Sequence, residues 1–279
     1  MYKMAVCDID GTLADSKGNI SQKTVETIKK INSSGGIVTL CTGRNITKAM
    51  PVAKKLGLTI PFVCIDGILL YDPVKMQPVM DKPVEKEIIK KIAAYGKEKN
   101  MYVELSDGYK YYKYFPTKEH IKYDIYNKHT FFGRIKSFFG GIRYVKDISS
   151  FEKIDGHLYQ IVLAGDEKQC ENAKNDIEKM QFENIDVRDF IIDNFLFINH
   201  TGIGKARGAK LLCDFYGFSM DEVIAIGDEM NDIDMLEEAG LGVAMGNATD
   251  KVKKYADIVA DTNDNDGAAK ILEKYFLGR

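Results

Sequence analysis

The chain has 279 residues, 45% apolar and 29% charged, and its 39 Lys+Arg against 41 Asp+Glu leave a net charge of −2. Such a composition excludes a mainly disordered chain, and the balanced charge offers no broad basic surface for nucleic acid or an anionic membrane. No run approaches the ~18 apolar residues of a membrane helix, and Asp8 interrupts the first apolar stretch before a secretory signal could form. The five cysteines, Cys7, Cys41, Cys64, Cys170 and Cys213, form no CxxC pair. Buried free thiols in a reduced cytoplasm are therefore expected, in a monomer or weak homodimer with no nucleic-acid and no membrane partner.

Met4–Cys7 reads as a short apolar strand that stops at Asp8-Ile9-Asp10-Gly11-Thr12. Ser21 caps a helix carrying Val25, Ile28 and Ile31 on one face, closed by Gly35-Gly36. Ile37–Cys41 is a second strand, ending in Thr42-Gly43-Arg44, with a helix after it to about Leu56; Phe62–Ile65 is a third, ending in Asp66-Gly67. Apolar strands alternating with helices imply a parallel sheet covered on both faces. After Lys82-Pro83 the rhythm changes to helix, two strands, helix, a turn at Gly140-Gly141, strand, helix and strand. Tyrosines concentrate there (Tyr102, Tyr109, Tyr111, Tyr112, Tyr114, Tyr123, Tyr126), which reads as a half-exposed strand of a small open sheet, or more sharply as a specificity wall.

From Phe195 the parallel rhythm resumes. Helix Lys205–Tyr216, strand Val223–Ile226 and helix Asp232–Ala239 precede strand Gly242–Ala244, helix Thr249–Tyr255, strand Ile258–Ala260 and a helix from Gly267 to Phe276. The expected fold is α/β: a doubly wound, Rossmann-like parallel-sheet core formed by residues 1–82 and 191–279, interrupted by an inserted α/β domain over 83–190.

Three apparent motifs fail. Gly202-Ile203-Gly204-Lys205-Ala206 lacks the first glycine and the final Ser/Thr of a phosphate loop. The Asp261–Gly267 stretch has its glycine one place late for a calcium loop, and Leu272 stands where a Glu is needed. The four histidines (His120, His129, His157, His200) lack zinc spacing.

The carboxylates are more informative. Asp8 and Asp10 follow one strand, Asp228 and Asp232 another. In an open parallel sheet both clusters share the rim at the carboxyl ends of the strands, where ligands bind. Clustered carboxylates need a cation or a proton, and without His or Cys partners the suitable cation is a hard one, so Mg²⁺ is favoured. The same rim gathers phosphate-binding groups: Thr42-Gly43, Lys205 at a helix start, and the Asn231 amide. A metal with Lys, Thr and Asn around an aspartate is what phosphoryl transfer requires.

At these residues the sequence resembles the haloacid-dehalogenase-like hydrolases, specifically the Cof-type phosphatases of subclass IIB. The motifs are Asp8-Ile9-Asp10-Gly11-Thr12, Thr42-Gly43-Arg44, Lys205 and Gly227-Asp228-Glu229-Met230-Asn231-Asp232, with the run Gly242–Ala248 and Asp266-Gly267 beyond. The resemblance implies that Asp8 is a nucleophile forming an aspartyl-phosphate and Asp10 the general acid and base. It further implies Mg²⁺ held by the Asp8 carboxylate, the Asp10 backbone carbonyl and Asp228. Thr42, Lys205, Asn231 and the backbone N–H groups of Ile9 and Gly43 would bind the phosphoryl group, with Asp232 orienting Lys205 or metal-bound water. The implied activity is hydrolysis of a small phosphorylated metabolite such as a sugar phosphate.

Asp66 departs from the family's Asn-Gly, and Lys205-Ala206 from its Lys-Gly. Asp66 is thus a candidate substrate contact, as is Arg44, and Lys110, Tyr112, Lys113 and Tyr114 are candidates in the inserted domain. The competing readings are a phosphomutase acting on hexose phosphates, a non-enzymatic module phosphorylated on aspartate, and a binding protein that has lost activity. The presence of Asp10, Lys205 and the inserted domain counts against the second, and the intact motifs against the third.

Overall fold

The computed structural model describes residues 2–124, 141–190 and 194–278. Tyr126, His129 and Gly140, singled out in the sequence, lie outside the described residues. In chain order the elements begin with β1 (Met4–Cys7), α1 (Gln22–Ser33), β2 (Ile37–Leu40), α2 (Ile46–Leu56), β3 (Phe62–Cys64), β4 (Leu69–Asp72) and β5 (Gln77–Asp81). Then come α3 (Lys86–Glu98), β6 (Tyr102–Ser106), β7 (Tyr111–Tyr114), β8 (Ile142–Val145), β9 (Gln160–Ala164), α4 (Glu167–Lys179), β10 (Ile185–Phe190) and β11 (Phe195–His200). The chain continues with α5 (Lys205–Tyr216), β12 (Val223–Gly227), α6 (Ile233–Glu238), β13 (Leu241–Ala244), α7 (Asp250–Lys253), β14 (Ile258–Val259) and α8 (Gly267–Leu277).

Two compact units result, one of residues 1–81 with 203–279, the other of 82–202. The first holds a five-stranded parallel sheet in the order β14-β13-β12-β1-β2. Helices α5 and α6 bury Ala209, Leu212, Met235 and Leu236 with Met4 and Val6 on one face. On α1, Val25, Ile28 and Ile31 are buried, and the Ser21 side chain accepts the Thr24 N–H as its cap. The strand Phe62–Cys64 departs from expectation. It meets the parallel sheet through a parallel Cys41–Val63 bridge, with the Thr42 N–H on the Val63 carbonyl at 3.0 Å, and otherwise pairs antiparallel with β4, which pairs in turn with β5.

The second unit is a six-stranded sheet in the order β10-β11-β9-β6-β7-β8, with α3 and α4 covering one face through Ile88, Ile92, Ala173 and Ile177. Here the second departure lies. Phe195–His200 does not resume the parallel core; it runs antiparallel to both β9 and β10. The compact inserted unit therefore extends to Gly202 rather than stopping at 190.

The tyrosine-rich strand β7 is not half-exposed. It lies between β6 and β8, with Tyr111 and Tyr114 buried. Lys113 has no exposed surface; its ammonium meets Glu104 at 2.9 Å and Asp124 at 2.8 Å. Tyr102 donates its hydroxyl to Glu104, and Tyr144 to Asp124 at 2.9 Å. Removing one partner of such a cluster leaves charge in a dry interior. Lys113→Met is accordingly expected to destabilise this unit by about 3–5 kcal/mol, read as a lower urea midpoint by circular dichroism; an unshifted midpoint contradicts the buried network.

Candidate active site

Asp8 follows β1 directly, and its N–H donates to the Ile226 carbonyl at 3.0 Å, so it extends the β1–β12 ladder to the sheet's carboxyl rim. The chain then makes a wide turn over Ile9–Leu13, closed by the Ala14 N–H on the Ile9 carbonyl at 2.8 Å. Gly11 sits in this turn at φ +74°, and a Cβ there would lie 2.0 Å from Asp228 Oδ2. Only glycine allows both the conformation and the approach. Thr12 Oγ1 completes the lock, donating to Asp228 Oδ1 at 2.9 Å. The turn after β1 and the acid after β12 are thus one assembly.

Lys205 is the first residue of α5 and only 1% exposed. Its ammonium donates to Asp8 Oδ1 at 2.8 Å and to Asp232 Oδ1 at 2.6 Å. The other oxygen of Asp232 accepts the backbone N–H groups of Asp228 and Glu229, each at 2.9 Å. Asp232 therefore fixes the Lys205 ammonium and the loop bearing Asp228 at once. The start of α5 is set by close packing: a Cβ on Gly67, at φ +92°, would fall 1.8 Å from the Gly204 carbonyl oxygen.

The remaining candidates form two pairs. Arg44 spans the Asp10 carboxylate, with Nε on Oδ2 at 2.7 Å and Nη2 on Oδ1. Asn231 Nδ2 donates to Asp66 Oδ1 at 2.8 Å, and the Asp66 N–H donates to the Thr42 carbonyl at 3.2 Å. Thr42 is buried and its hydroxyl accepts the Arg44 N–H at 3.2 Å. A Cβ on Gly43 would lie 3.0 Å from Asp66 Oδ1, so this carboxylate lies against the Thr42-Gly43 loop.

Asn247, a residue to which the motifs assign no role, joins the site. Its amide donates to the Gly11 carbonyl at 2.9 Å and Asp228 Oδ2 at 3.2 Å, and its own oxygen accepts the Asn263 N–H at 3.0 Å. Nothing in the local pattern marks it beyond its place in the run after β13. Lys110, Tyr112, Lys113 and Tyr114 lie in the other compact unit, and Lys113 is consumed by its two carboxylates there.

Asp8, Asp228 and Asp232 each offer an oxygen within 4.8 Å of the others, and all three are buried. The Asp10 carboxylate is not in this group; it is engaged with Arg44. Burial pushes Asp8 up to about 7 despite the opposing Lys205, with Asp232 and its charge adding to the rise. Burial likewise pushes Asp228 up to about 6. Burial works against the charged Lys205, yet Asp8 and then Asp232 hold it well above the ordinary lysine value. Three carboxylates around one ammonium leave the rim short of positive charge, and an all-oxygen donor set suits a hard divalent cation.

The sign of the pH dependence follows. Acids whose folded values lie above their unfolded ones bind more protons in the native state, so stability falls as pH rises between the two values. Metal-free protein is expected to lose thermal stability between about pH 4 and 7, the interval set by Asp8 and Asp228. Millimolar Mg²⁺ is expected to raise the melting temperature more at pH 8 than at pH 5. A metal-induced shift equal at both pH values contradicts this electrostatic account.

A family model for haloacid dehalogenase-like hydrolases matches residues 5–272. The 5-amino-6-(5-phospho-D-ribitylamino)uracil phosphatase YitU of Bacillus subtilis is 28% identical over 275 residues, covering 96% of this chain and 96% of its own. The pyridoxal phosphate phosphatase YbhA of Escherichia coli is 26% identical over 286 residues, covering 99% of each. A solved haloacid dehalogenase-like hydrolase from Bacteroides thetaiotaomicron superposes with a TM-score of 0.81 at 27% identity, over 99% of this chain and 100% of that one. The chain belongs to the haloacid dehalogenase-like hydrolases, in the Cof-type branch of phosphoric monoester hydrolases.

Proposed function

We propose that the chain is a Mg²⁺-dependent phosphatase that hydrolyses a small phosphorylated metabolite through an aspartyl-phosphate on Asp8. The observation that carries this reading is the buried Asp8 carboxylate, held 2.8 Å from the Lys205 ammonium beside Asp228. Lys205 aims Asp8 and favours its anionic form against the burial that raises its pKa. One Asp8 oxygen attacks phosphorus as the bond to the leaving oxygen breaks, and Asp10 gives that oxygen its proton. Asp10 then takes a proton from water, which attacks phosphorus and releases Asp8. Lys205, Asn231, Thr42 and the N–H groups of Ile9 and Gly43 receive the equatorial oxygens, where charge gathers in the transition state.

The Asp8 carboxylate, the Asp10 backbone carbonyl and Asp228 would hold Mg²⁺. When bound it supplies neutralising charge between the phosphate and these carboxylates. Asp232 serves by orienting Lys205. The hydrogen bond from Asn231 to Asp66 supports a role for Asp66 in aiming Asn231. The phosphoribitylaminouracil and pyridoxal phosphate activities of the two relatives support a small organic phosphate as the substrate class.

The test is phosphate release across a panel of sugar, sugar-acid, nucleotide and cofactor phosphates, with and without Mg²⁺. Asp8→Asn is expected to lower kcat by on the order of 10⁴-fold or more. Asp10→Asn is expected to lower it by about 10²–10⁴-fold on alkyl phosphates and by less on aryl phosphates, whose leaving group needs no proton. Full activity in Asp8→Asn, or in excess chelator, overturns the mechanism. Isomerised substrate with no net phosphate release would indicate a mutase instead.

A further inference from the structure

The Arg44–Asp10 pair poses a mechanical problem for the proposed reaction. Both Asp10 oxygens face the guanidinium fork, one on Nε at 2.7 Å and the other on Nη2. A carboxyl group that hands a proton to a leaving oxygen must turn one of its oxygens toward that atom. Each oxygen keeps a second lone pair, but with both seated on Arg44 the plane of the carboxyl group is fixed, so turning an oxygen toward that atom loosens the two-point contact. Turning Asp10 toward the leaving oxygen thus competes with the paired arrangement, and release of at least one oxygen by Arg44 favours the transfer.

We infer that Arg44 is a substrate-operated latch on Asp10, and that the substrate class it selects is a phosphate ester whose leaving group carries a second oxyanion. This rests on the phosphatase reading above. A guanidinium that gives up a two-point carboxylate contact regains equivalent bonding only from another oxyanion, a carboxylate or a second phosphoryl group. Arg44 is placed to make the exchange. It follows the Thr42-Gly43 loop, its backbone N–H is tied to the Thr42 hydroxyl, and its side chain is 23% exposed. The Asp10 side chain is 65% exposed, so it has room to turn. A leaving group with such an anion takes the fork, and Asp10 is freed where the ester oxygen sits. A neutral leaving group has to break the pair without replacing it.

The magnitude is modest, because an exposed ion pair is worth little. A preference of roughly two- to fivefold in kcat/KM is expected for an anionic over a neutral leaving group of similar size. The experiment compares phosphoglycerate and glycerol bisphosphate, as the carboxylate and phosphoryl forms of the second anion, with glycerol phosphate. Each is assayed with wild type, Arg44→Ala and Arg44→Lys. In wild type at least one ester with the second oxyanion should exceed glycerol phosphate, and whichever does so identifies the source of the oxyanion.

In Arg44→Ala the ratio should collapse to about one, through kcat as well as KM, because releasing Asp10 acts on the chemical step. Arg44→Lys keeps the charge without the fork and should recover only part of the ratio. An equal rate on all three esters in wild type, or an unchanged ratio in Arg44→Ala, overturns the latch. Loss of the ratio through KM alone would make Arg44 a simple anion contact and also overturns it. Failure of the underlying reading is separate: it would show as turnover of these esters that survives Asp8→Asn.

Discussion

The Lys205 ammonium lies between Asp8 and Asp232, sealed from water, and the arrangement of the site follows from that one cation. Burying an ammonium is costly unless its partners are close and well aligned. Here both contacts are short, and the second oxygen of Asp232 takes two backbone N–H groups from the loop after β12. The same carboxylate therefore positions the cation and shapes the strand end that bears Asp228. The close approach of Gly67 to the Gly204 carbonyl fixes where α5 begins, and with it the height of Lys205 over the sheet.

Around this centre, groups differ in how firmly they are held. Asp8, Asp228 and Asp232 are buried and tied to strand ends, which suits groups that must stay in register. Thr12 and Asn247 grip Asp228 from two sides, so its position is set by the turn after β1 and the loop after β13 together. Asp10 is different. Its side chain is largely exposed and is held by an arginine rather than by backbone. A proton carrier has to move between the leaving group and water, and an exposed ion pair permits that motion at small energetic cost. The firmness of the first set and the looseness of Asp10 fit the roles proposed for them, Asp8 as nucleophile and Asp10 as acid–base group.

Much of the parallel core was legible because apolar strands ending in acids or Thr-Gly leave little ambiguity, and spacing alone put Asp8, Thr42, Lys205 and Asp228 at strand ends or a helix start. Two strand assignments failed for identifiable reasons. Phe195–His200 is nearly continuous in apolar residues, the pattern of a doubly covered parallel strand, yet it lies inside an antiparallel sheet. The β4–β5 hairpin was missed because Asp66-Gly67 reads as a strand end and Gln77–Asp81 is exposed and contains Pro78, so no alternation signals a strand. The burial of Lys113 was illegible because lysine is ordinarily solvated, and its carboxylate partners stand nine and eleven residues away. The partners of Arg44 and Asp66 depended on side-chain directions that spacing does not encode.

The central claim is that Asp8 becomes covalently phosphorylated during turnover. The most direct measurement is mass spectrometry of the peptide containing Asp8, after acid quench of the Mg²⁺-loaded protein in the first turnover with an aryl phosphate. The account predicts that the added mass of one phosphoryl group resides on Asp8, is removed by hydroxylamine, and is absent in Asp8→Asn. Turnover in wild type with Asp8 unmodified at every quench time, or with the phosphoryl group on another residue, would contradict it.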